Sequence, residues 1–190
     1  MTSSLIYGKN ENNRTSAILL AADRETGLAH KPILSQLAIL ALGMAVFCLP
    51  KPAFAGTYID KGMVVIDLEN GIEWLKCSIG QQWDEKNCIG DILRLPQEAM
   101  GQVVAQANEK LGGKWRLPSR KELESLVCEE CEGVKIAAET FPNTVGEPYW
   151  TGETNSFPPN AYWSVNFYNG NSFGRFPGYK ELAVRLVRDR

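Results

Sequence analysis

The chain has 190 residues, of which 44% are hydrophobic, and its formal net charge is −2. These values suit a folded protein and exclude a strongly basic one that binds nucleic acid through its overall charge. The only histidine is His30, so residues 56–190 cannot form a Ser-His-Asp triad, a Cys-His pair or a histidine-ligated metal site.

Residues 1–55 have the features of an export signal. After a long polar lead, an apolar run over residues 33–49 follows Lys31, and the segment ends in the cleavage motif Ala53-Phe54-Ala55. We therefore predict cleavage before Gly56 and a periplasmic or secreted product. An uncleaved membrane anchor is the alternative, because the 17-residue run lies at the lower limit of a membrane span.

The predicted mature protein, residues 56–190, is acidic. Removal of the signal leaves 15 basic and 19 acidic residues, a net charge of −4. Such a domain has no overall attraction for nucleic acid or other polyanions. Its length of 135 residues is sufficient for one compact domain with a hydrophobic core.

Two elements are predicted in the first half of the mature protein. Strands over residues 63–66 and 72–75 flank Asn70-Gly71, a strong turn signal, and therefore indicate a β-hairpin. Residues 96–111 carry an apolar side chain at every fourth position from Ala99 onward. With the following Gly112-Gly113 they indicate an amphipathic helix that ends there.

A second, short helix is predicted to begin at Ser119. Ser119 and Glu122 have the spacing of a capping box, which satisfies the first free N–H groups of a helix. Trp115, just before it, is interpreted as a core residue. Arg116 is expected to pair with a nearby carboxylate such as Glu122 or Glu124. Trp115, Arg116, Ser119 and Glu122 are therefore assigned structural roles.

The second half of the chain is rich in Pro, Asn, Gly and aromatic residues, which indicates loops between short strands. Residues 161–168 alternate in polarity, Asn169-Gly170-Asn171 predicts a turn, and residues 182–188 predict a closing strand. Loops are predicted around the prolines of residues 141–143, 147–150 and 157–160. The fold class expected is α+β, a small antiparallel sheet flanked by two helices, with a loop-rich second half.

Four cysteines remain after the signal: Cys77, Cys88, Cys128 and Cys131. In an exported protein an even number favours disulfides, and we favour Cys77–Cys88 and Cys128–Cys131 among the three possible connectivities. A four-thiolate zinc site and a redox-active C-x-x-C pair are the alternatives. No metal site is predicted.

Aromatic residues are dense after Glu147, and about half of those on alternating strands should face outward. Exposed rings with Asn and Ser between them are typical of binding surfaces, although the same rings also serve as loop and core packing. The candidate binding residues are Trp150, Tyr162, Trp163, Asn166, Tyr168 and Arg175. A local basic face is a further possibility, formed by Arg175, Lys180, Arg185 and Arg188.

No cofactor is predicted, and calcium is the alternative. Glu147-Pro148 resembles the start of a lectin-like calcium motif but continues with Tyr149 instead of an amide. An enzyme without histidine would need the thiols of Cys128 and Cys131. A thiol-dependent oxidoreductase or formylglycine-type enzyme is therefore the alternative function, and three flanking glutamates disfavour it because they raise thiol pKa values.

Ordered blocks across residues 60–189 resemble the Lcl C-terminal domain family: Asn70-Gly71-Ile72-Glu73-Trp74, Cys77 through Gly80-Gln81-Gln82-Trp83 to Cys88, Lys114-Trp115-Arg116-Leu117-Pro118-Ser119, Phe141-Pro142-Asn143-Thr144, Tyr149-Trp150-Thr151, Tyr162-Trp163-Ser164-Val165-Asn166-Phe167 and Val184-Arg185-Leu186-Val187-Arg188. The resemblance implies a C-type lectin-like fold in which strands from both ends of the domain pair. It also implies an adhesin-like role, because the family's namesake is associated with sulfated polysaccharides.

Two features of this chain depart from that namesake. No Gly-x-y collagen tract precedes the domain, and the net charge of the mature protein is −4. Both argue against tight binding of sulfated glycans. The function expected is a non-enzymatic, lectin-like binding domain whose partner is an envelope or surface glycan or protein.

Overall fold

The computed structural model describes residues 58–190, in which nine short strands and two helices are joined by long loops. The predicted signal segment, residues 1–55, lies outside the described residues. Within residues 58–190 no helix has the length and apolar character needed to cross a membrane. The fold class is α+β, as predicted from the sequence.

The first sheet joins the two ends of the described chain. Its four antiparallel strands are ordered β1-β2-β3-β9. They are β1 (Tyr58–Lys61), β2 (Val64–Asp67), β3 (Ile72–Leu75) and β9 (Val187–Asp189). The predicted hairpin is β2–β3. Its turn is closed by the Asp67 carboxylate, which accepts hydrogen bonds from the backbone N–H groups of Glu69 and Asn70.

The closing segment, residues 182–188, is regular β-strand over fewer residues than the sequence predicts. Residues 182–188 alternate like one strand, but β9 begins only at Val187. The preceding residues bond in turn to several elements: Leu182 bridges Leu95, Ala183 bridges Tyr149, and Leu186 accepts a hydrogen bond from Leu75. Because each partner belongs to a different part of the fold, no continuous ladder can form.

The helices agree with the sequence analysis. A 3-10 turn at Gln97–Ala99 leads into α1 (Met100–Leu111), which buries Met100, Val103 and Ala107. The helix α2 (Arg120–Glu124) has Ser119 as its N-cap. Ser119 Oγ accepts from the Glu122 N–H at 3.2 Å, and Glu122 Oε2 accepts from the Ser119 N–H at 2.7 Å, so the predicted capping box is confirmed.

Two further groups of strands complete the architecture. The small hairpin β4 (Gln82–Trp83) and β5 (Cys88–Ile89) lies beside the Cys77–Cys88 disulfide. The second sheet has the order β6-β7-β8, formed by β6 (Pro148–Asn155), β7 (Ala161–Asn166) and β8 (Ser172–Pro177). The prediction of a loop over residues 147–150 was wrong, since strand β6 begins at Pro148. Pro148 is tolerated because it is the first residue of an edge strand.

The core consists of two hydrophobic clusters that share the closing segment. One cluster contains Trp74, Leu123, Phe141, Tyr149 and Phe167, and the other contains Val103, Trp115, Trp150 and Leu186. Residues 182–187 contribute to them alternately. Ala183 and Val187 lie in the first cluster, whereas Leu182, Val184 and Leu186 lie in the second. An extended backbone directs successive side chains to opposite sides, so this segment fastens the two clusters together.

Arg116 connects the start of α2 to the C-terminal strand. Its guanidinium donates to both Glu122 carboxylate oxygens at 2.9 and 2.8 Å, and to Asp189 Oδ1 at 2.6 Å. The pairing expected between Arg116 and Glu122 is therefore present. Hydrogen bonds from Arg116, opposed in part by burial, hold the pKa of Glu122 below its usual value.

We expect Glu122→Gln to lower the free energy of unfolding at pH 7 by about 1 kcal/mol, because glutamine can still cap α2 but loses the charge facing Arg116. The folded-state pKa of Glu122 lies below its unfolded value. Its contribution is therefore present above the unfolded pKa and is lost as the pH falls through the folded pKa. Denaturant titrations between neutral and acidic pH should show a flatter pH dependence for Glu122→Gln than for the wild type. The exposed Glu139→Gln is the control, and an equal acid dependence in Glu122→Gln and the wild type would contradict the prediction.

Candidate functional site

A shallow groove lies on the second sheet, beside the turn that joins β7 to β8. Its volume is about 330 Å³. No ionisable side chain lines it; the eight residues that do are Pro148, Ser164, Asn166, Asn169, Asn171, Ser172, Phe173 and Phe176. We call this the β7–β8 groove.

The asparagine side of the groove is built by the turn itself. Asn166 Oδ1 accepts from the Tyr168 N–H at 2.9 Å, and Asn169 Oδ1 accepts from the Asn171 N–H at 3.0 Å. Gly170 takes a positive φ of 77°, which closes the turn. Within residues 58–190, neither the amide N–H groups of Asn166 and Asn169 nor the side chain of Asn171 has an intrachain hydrogen-bond partner.

The aromatic side of the groove consists of rings that contact one another edge to face and are anchored on the core. The Phe173 and Phe176 rings meet edge to face, with centroids 4.9 Å apart. Phe176 in turn contacts the buried Trp150 ring at 6.2 Å. Phe173 is 47% exposed, so a ring anchored on the core presents a large part of its surface to solvent. Rings of this kind bind ligands at small entropic cost, because their orientation is already set.

Two carboxylates near the groove are held by partners in the chain. Glu147, which precedes the lining residue Pro148, accepts from Arg94 Nε at 3.1 Å and Nη2 at 3.0 Å. Glu124 accepts a hydrogen bond from the hydroxyl of the lining residue Ser172. Glu147 is the carboxylate considered for calcium in the sequence analysis. In the structure it forms an ion pair with Arg94.

Three of the six candidate binding residues are associated with the groove or its surroundings. Asn166 lines it. Tyr168 lies on the same turn and is 72% exposed, although it is not a lining residue. Arg175 is exposed on β8 between Phe173 and Phe176, and it too is not a lining residue.

The other three candidates are integrated into the packing. The half-buried Tyr162 ring packs on Trp150 at 6.0 Å. The half-buried Trp163 ring lies under the Arg120 guanidinium at 4.4 Å and against Gly174, where an added Cβ would come within 2.7 Å. Trp150 is fully buried and donates Nε1–H to the Leu95 carbonyl at 2.8 Å.

The expectation that Trp150 is an exposed ring was therefore wrong. Trp150 pairs with Ser164 across β6 and β7, on the face of the sheet that the second core cluster covers. An outward position in an alternating pattern becomes an inward one when a neighbouring element covers that face. Trp150 is a core residue and cannot contact a ligand without unfolding.

Sequence reasoning missed most of the groove lining. Phe173 and Phe176 stood in the aromatic-rich region without being selected, and Asn169 and Asn171 were used only as turn formers. The signal available was the Asn-Gly-Asn turn between two alternating strands, because such a turn places two amides beside the strand ends.

The proposed basic face near the C-terminus does not form as a unit. Arg185 is completely buried, and Arg188 is engaged by Glu73 at 2.6 Å and lies over the Trp115 ring at 4.6 Å. Arg175 and Lys180 alone remain exposed. The expectation was wrong for Arg185 because it occupies an inward position in the closing segment.

The four cysteines form the two disulfides that the sequence analysis favoured. Cys77 pairs with Cys88, and Cys128 pairs with Cys131. The second pair lies in the loop after α2. The carbonyls of Glu129 and Cys131 there accept hydrogen bonds from the Lys135 ammonium group at 3.0 and 2.7 Å. In this state neither cysteine of the C-x-x-C pair carries a free thiol.

Comparison with known proteins assigns the chain to a family. No curated protein matches the sequence. The Lcl C-terminal domain matches residues 63–188, about two thirds of the whole chain and nearly all of its described part. This match covers strands β2 to β8, both helices, both disulfides and the β7–β8 groove, and it ends within β9. The chain therefore belongs to the Lcl C-terminal domain family.

Proposed function

We propose that this protein is an exported, non-enzymatic binding domain of C-type lectin-like architecture, which captures an envelope or surface glycan or protein through the β7–β8 groove. The observation that carries the proposal is the groove's composition. A core-anchored, half-exposed Phe173 lies in the same groove as asparagine side chains whose amide N–H groups have no partner in the described chain. Concave sites with an apolar wall and a few directed polar groups are typical binding sites.

The pairing of the first sheet is consistent with the architecture proposed. Strand β9, at the end of the chain, pairs with β3 of the opening hairpin, from Ile72↔Asp189 to Trp74↔Val187. The helices α1 and α2 lie between them in sequence. The family resemblance implies this pairing of strands from both ends of the domain, because it is a feature of C-type lectin-like domains.

The surroundings of Cys128 and Cys131 support a binding function over a thiol enzyme. A thiol oxidoreductase needs an accessible thiolate at some stage of its cycle, and the usual site places the first cysteine at the start of a helix. Here Cys128 and Cys131 follow α2 and lie beside three glutamates. We therefore assign these cysteines the role of fastening the loop after α2.

Truncation of the groove's rim tests the binding proposal. We expect Phe173→Ala, combined with Tyr168→Ala, to weaken ligand capture by about tenfold or more while leaving the fold intact, since partly exposed rings contribute more to binding than to stability. The measurement is binding to a glycan array and to cell-envelope extract, with circular dichroism as a check on folding. Tyr179→Ala is the matched control, because its ring is 76% exposed and lies outside the groove. Equal capture by the groove variant and the control would overturn the proposal, and loss only in Cys128→Ser with Cys131→Ser would favour the thiol enzyme.

We also propose that the protein reaches the periplasm or the cell exterior after cleavage before Gly56, because Ala53-Phe54-Ala55 follows an apolar run. Sequencing of the N-terminus of the protein recovered from periplasm and medium should give a start near Gly56. Recovery of uncut residues 1–55 in the membrane fraction would show an anchor instead.

A further inference from the structure

We propose that the ligand of the β7–β8 groove is an uncharged oligosaccharide, read by the asparagine amides and the Phe173 ring. This inference rests on the proposed binding function and adds the class of ligand. The proposed ligand is a glycan and not a protein, and the glycan is neutral and not anionic.

The charge of the groove favours a neutral ligand. None of its eight lining residues is ionisable, so a sulfate or carboxylate entering it would lose water without gaining an ion pair. The Glu124 carboxylate accepts from the hydroxyl of the lining residue Ser172, and its charge is paired with Arg120 at 3.4 Å. Arg175 is the one exposed cation on β8, and it lies outside the lining. An anionic polymer would therefore bind through Arg175 and not through the groove.

The polar groups of the groove match hydroxyl-rich molecules. A sugar hydroxyl donates one hydrogen bond and accepts others, so it pairs best with groups that do both. The amides of Asn166 and Asn169 keep their N–H donors free while their oxygens are held by the turn. Asn171 offers a donor and an acceptor on one side chain. Asn166 and Asn169, held by the turn, thus present donors at fixed positions, and the exposed Asn171 adds a third amide.

The aromatic wall supplies the apolar half of the same recognition. Sugar rings have C–H faces that pack on aromatic rings, and such packing requires a ring that is exposed on one side and supported on the other. Phe173 meets this requirement, because it is 47% exposed and rests on Phe176. A peptide partner would also pack on Phe173. Its backbone carbonyls, however, could accept hydrogen bonds only from those amide donors that the backbone passes.

The experiment uses the exported protein purified from cells that express the full chain. Its binding is measured by calorimetry and on an array of uncharged hexasaccharides that differ in sugar and linkage, with heparin and dextran sulfate as anionic probes. We expect at least one uncharged probe to bind, with a Kd that changes less than about twofold between low and high salt, because no ion pair is screened.

One substitution links that binding to the groove, and two others serve as controls. Asn166→Ser keeps an oxygen that can accept from the Tyr168 N–H but removes the amide, so the Kd for the uncharged probe should rise by about tenfold. Asn87→Ser is the control, since Asn87 is an exposed turn asparagine between β4 and β5. Arg175→Gln should leave the same Kd unchanged.

Other results would overturn the inference. If only heparin or dextran sulfate binds, with strong salt dependence and loss in Arg175→Gln, the ligand is anionic. If no uncharged probe binds but a protein is captured and lost in Phe173→Ala, the groove is a protein site; the proposed binding function would then stand without the sugar. If neither Asn166→Ser nor Phe173→Ala changes any capture, both the inference and the proposed function fail.

Discussion

Trp150→Ala should lower the free energy of unfolding by about 3–5 kcal/mol, the largest effect expected of any aromatic truncation in the second sheet. The side chain is completely buried, and its ring contacts both Tyr162 and Phe176. Its Nε1–H also donates to the Leu95 carbonyl, which would keep only the hydrogen bond from the Leu182 N–H. The substitution should therefore open a cavity under the β7–β8 groove and remove one buried hydrogen bond.

Urea denaturation followed by fluorescence and circular dichroism measures the effect of Trp150→Ala. Tyr179→Ala is the control, because truncation of an exposed ring should change the stability by less than about 0.5 kcal/mol. Ligand capture by Trp150→Ala should fall as well, because Phe176 and the Phe173 ring that rests on it lose the support of the Trp150 ring. A Trp150→Ala protein as stable as the wild type would contradict the assignment of Trp150 to the core.

The second large effect is expected at Arg185, a buried cation in the closing segment. Its guanidinium donates to the carbonyls of Leu75 and Lys76, and at 2.7 Å to the Thr144 hydroxyl. It lies 4.8 Å from the centroid of the Phe141 ring. No carboxylate pairs with it within residues 58–190, so neutral oxygens alone balance its charge.

Arg185→Ala should cost about 3–5 kcal/mol, since it leaves a cavity and several unpaired oxygens at once. Arg185→Met should cost less, about 1–3 kcal/mol, because methionine fills much of the volume and removes the buried charge. Comparing the two variants by urea denaturation separates packing from hydrogen bonding. A stability of Arg185→Ala within about 1 kcal/mol of the wild type would contradict the role of Arg185 as a core residue.

The charge on Arg185 opposes folding at neutral pH. Burial lowers the pKa of Arg185 to about 10, below the ordinary range of a guanidinium group. For a base, a lowered folded-state pKa means that the charged form is less stable in the folded protein than in the unfolded chain. This cost is fully present below pH 10 and shrinks as the pH rises through that value. Between pH 6 and 8 Arg185→Met and the wild type should therefore show the same pH dependence.

The elements that sequence reasoning placed correctly depend on contacts between neighbours in the chain. Asn70-Gly71 makes a turn and Ser119 with Glu122 makes a cap through backbone groups only a few residues away. The strand β6 was missed because Pro148 is a turn signal locally. It is acceptable in this sheet only because β6 is an edge strand, and the neighbours of a strand are a property of the whole fold.

The candidate site could be predicted in part for the same reason. Asn166 and Tyr168 were found because both lie in the alternating, aromatic-rich segment 161–168. Alternation could not show which face of β6 would be covered, and register shifts in both strand pairs of the second sheet break the simple pattern. Trp150 was therefore assigned to the surface and Phe173 was left out.

The sequence by itself determined the hairpin, the capped helix, the even set of cysteines and the family, because each depends on local spacing or on ordered motifs. The tertiary structure alone decided which aromatic rings reach solvent. Trp150 and Arg185 are inside because distant elements pack over them. Phe173 and the turn asparagines are outside because no described element covers that end of the sheet, and exposure of this kind follows from the packing of whole elements rather than from any one segment.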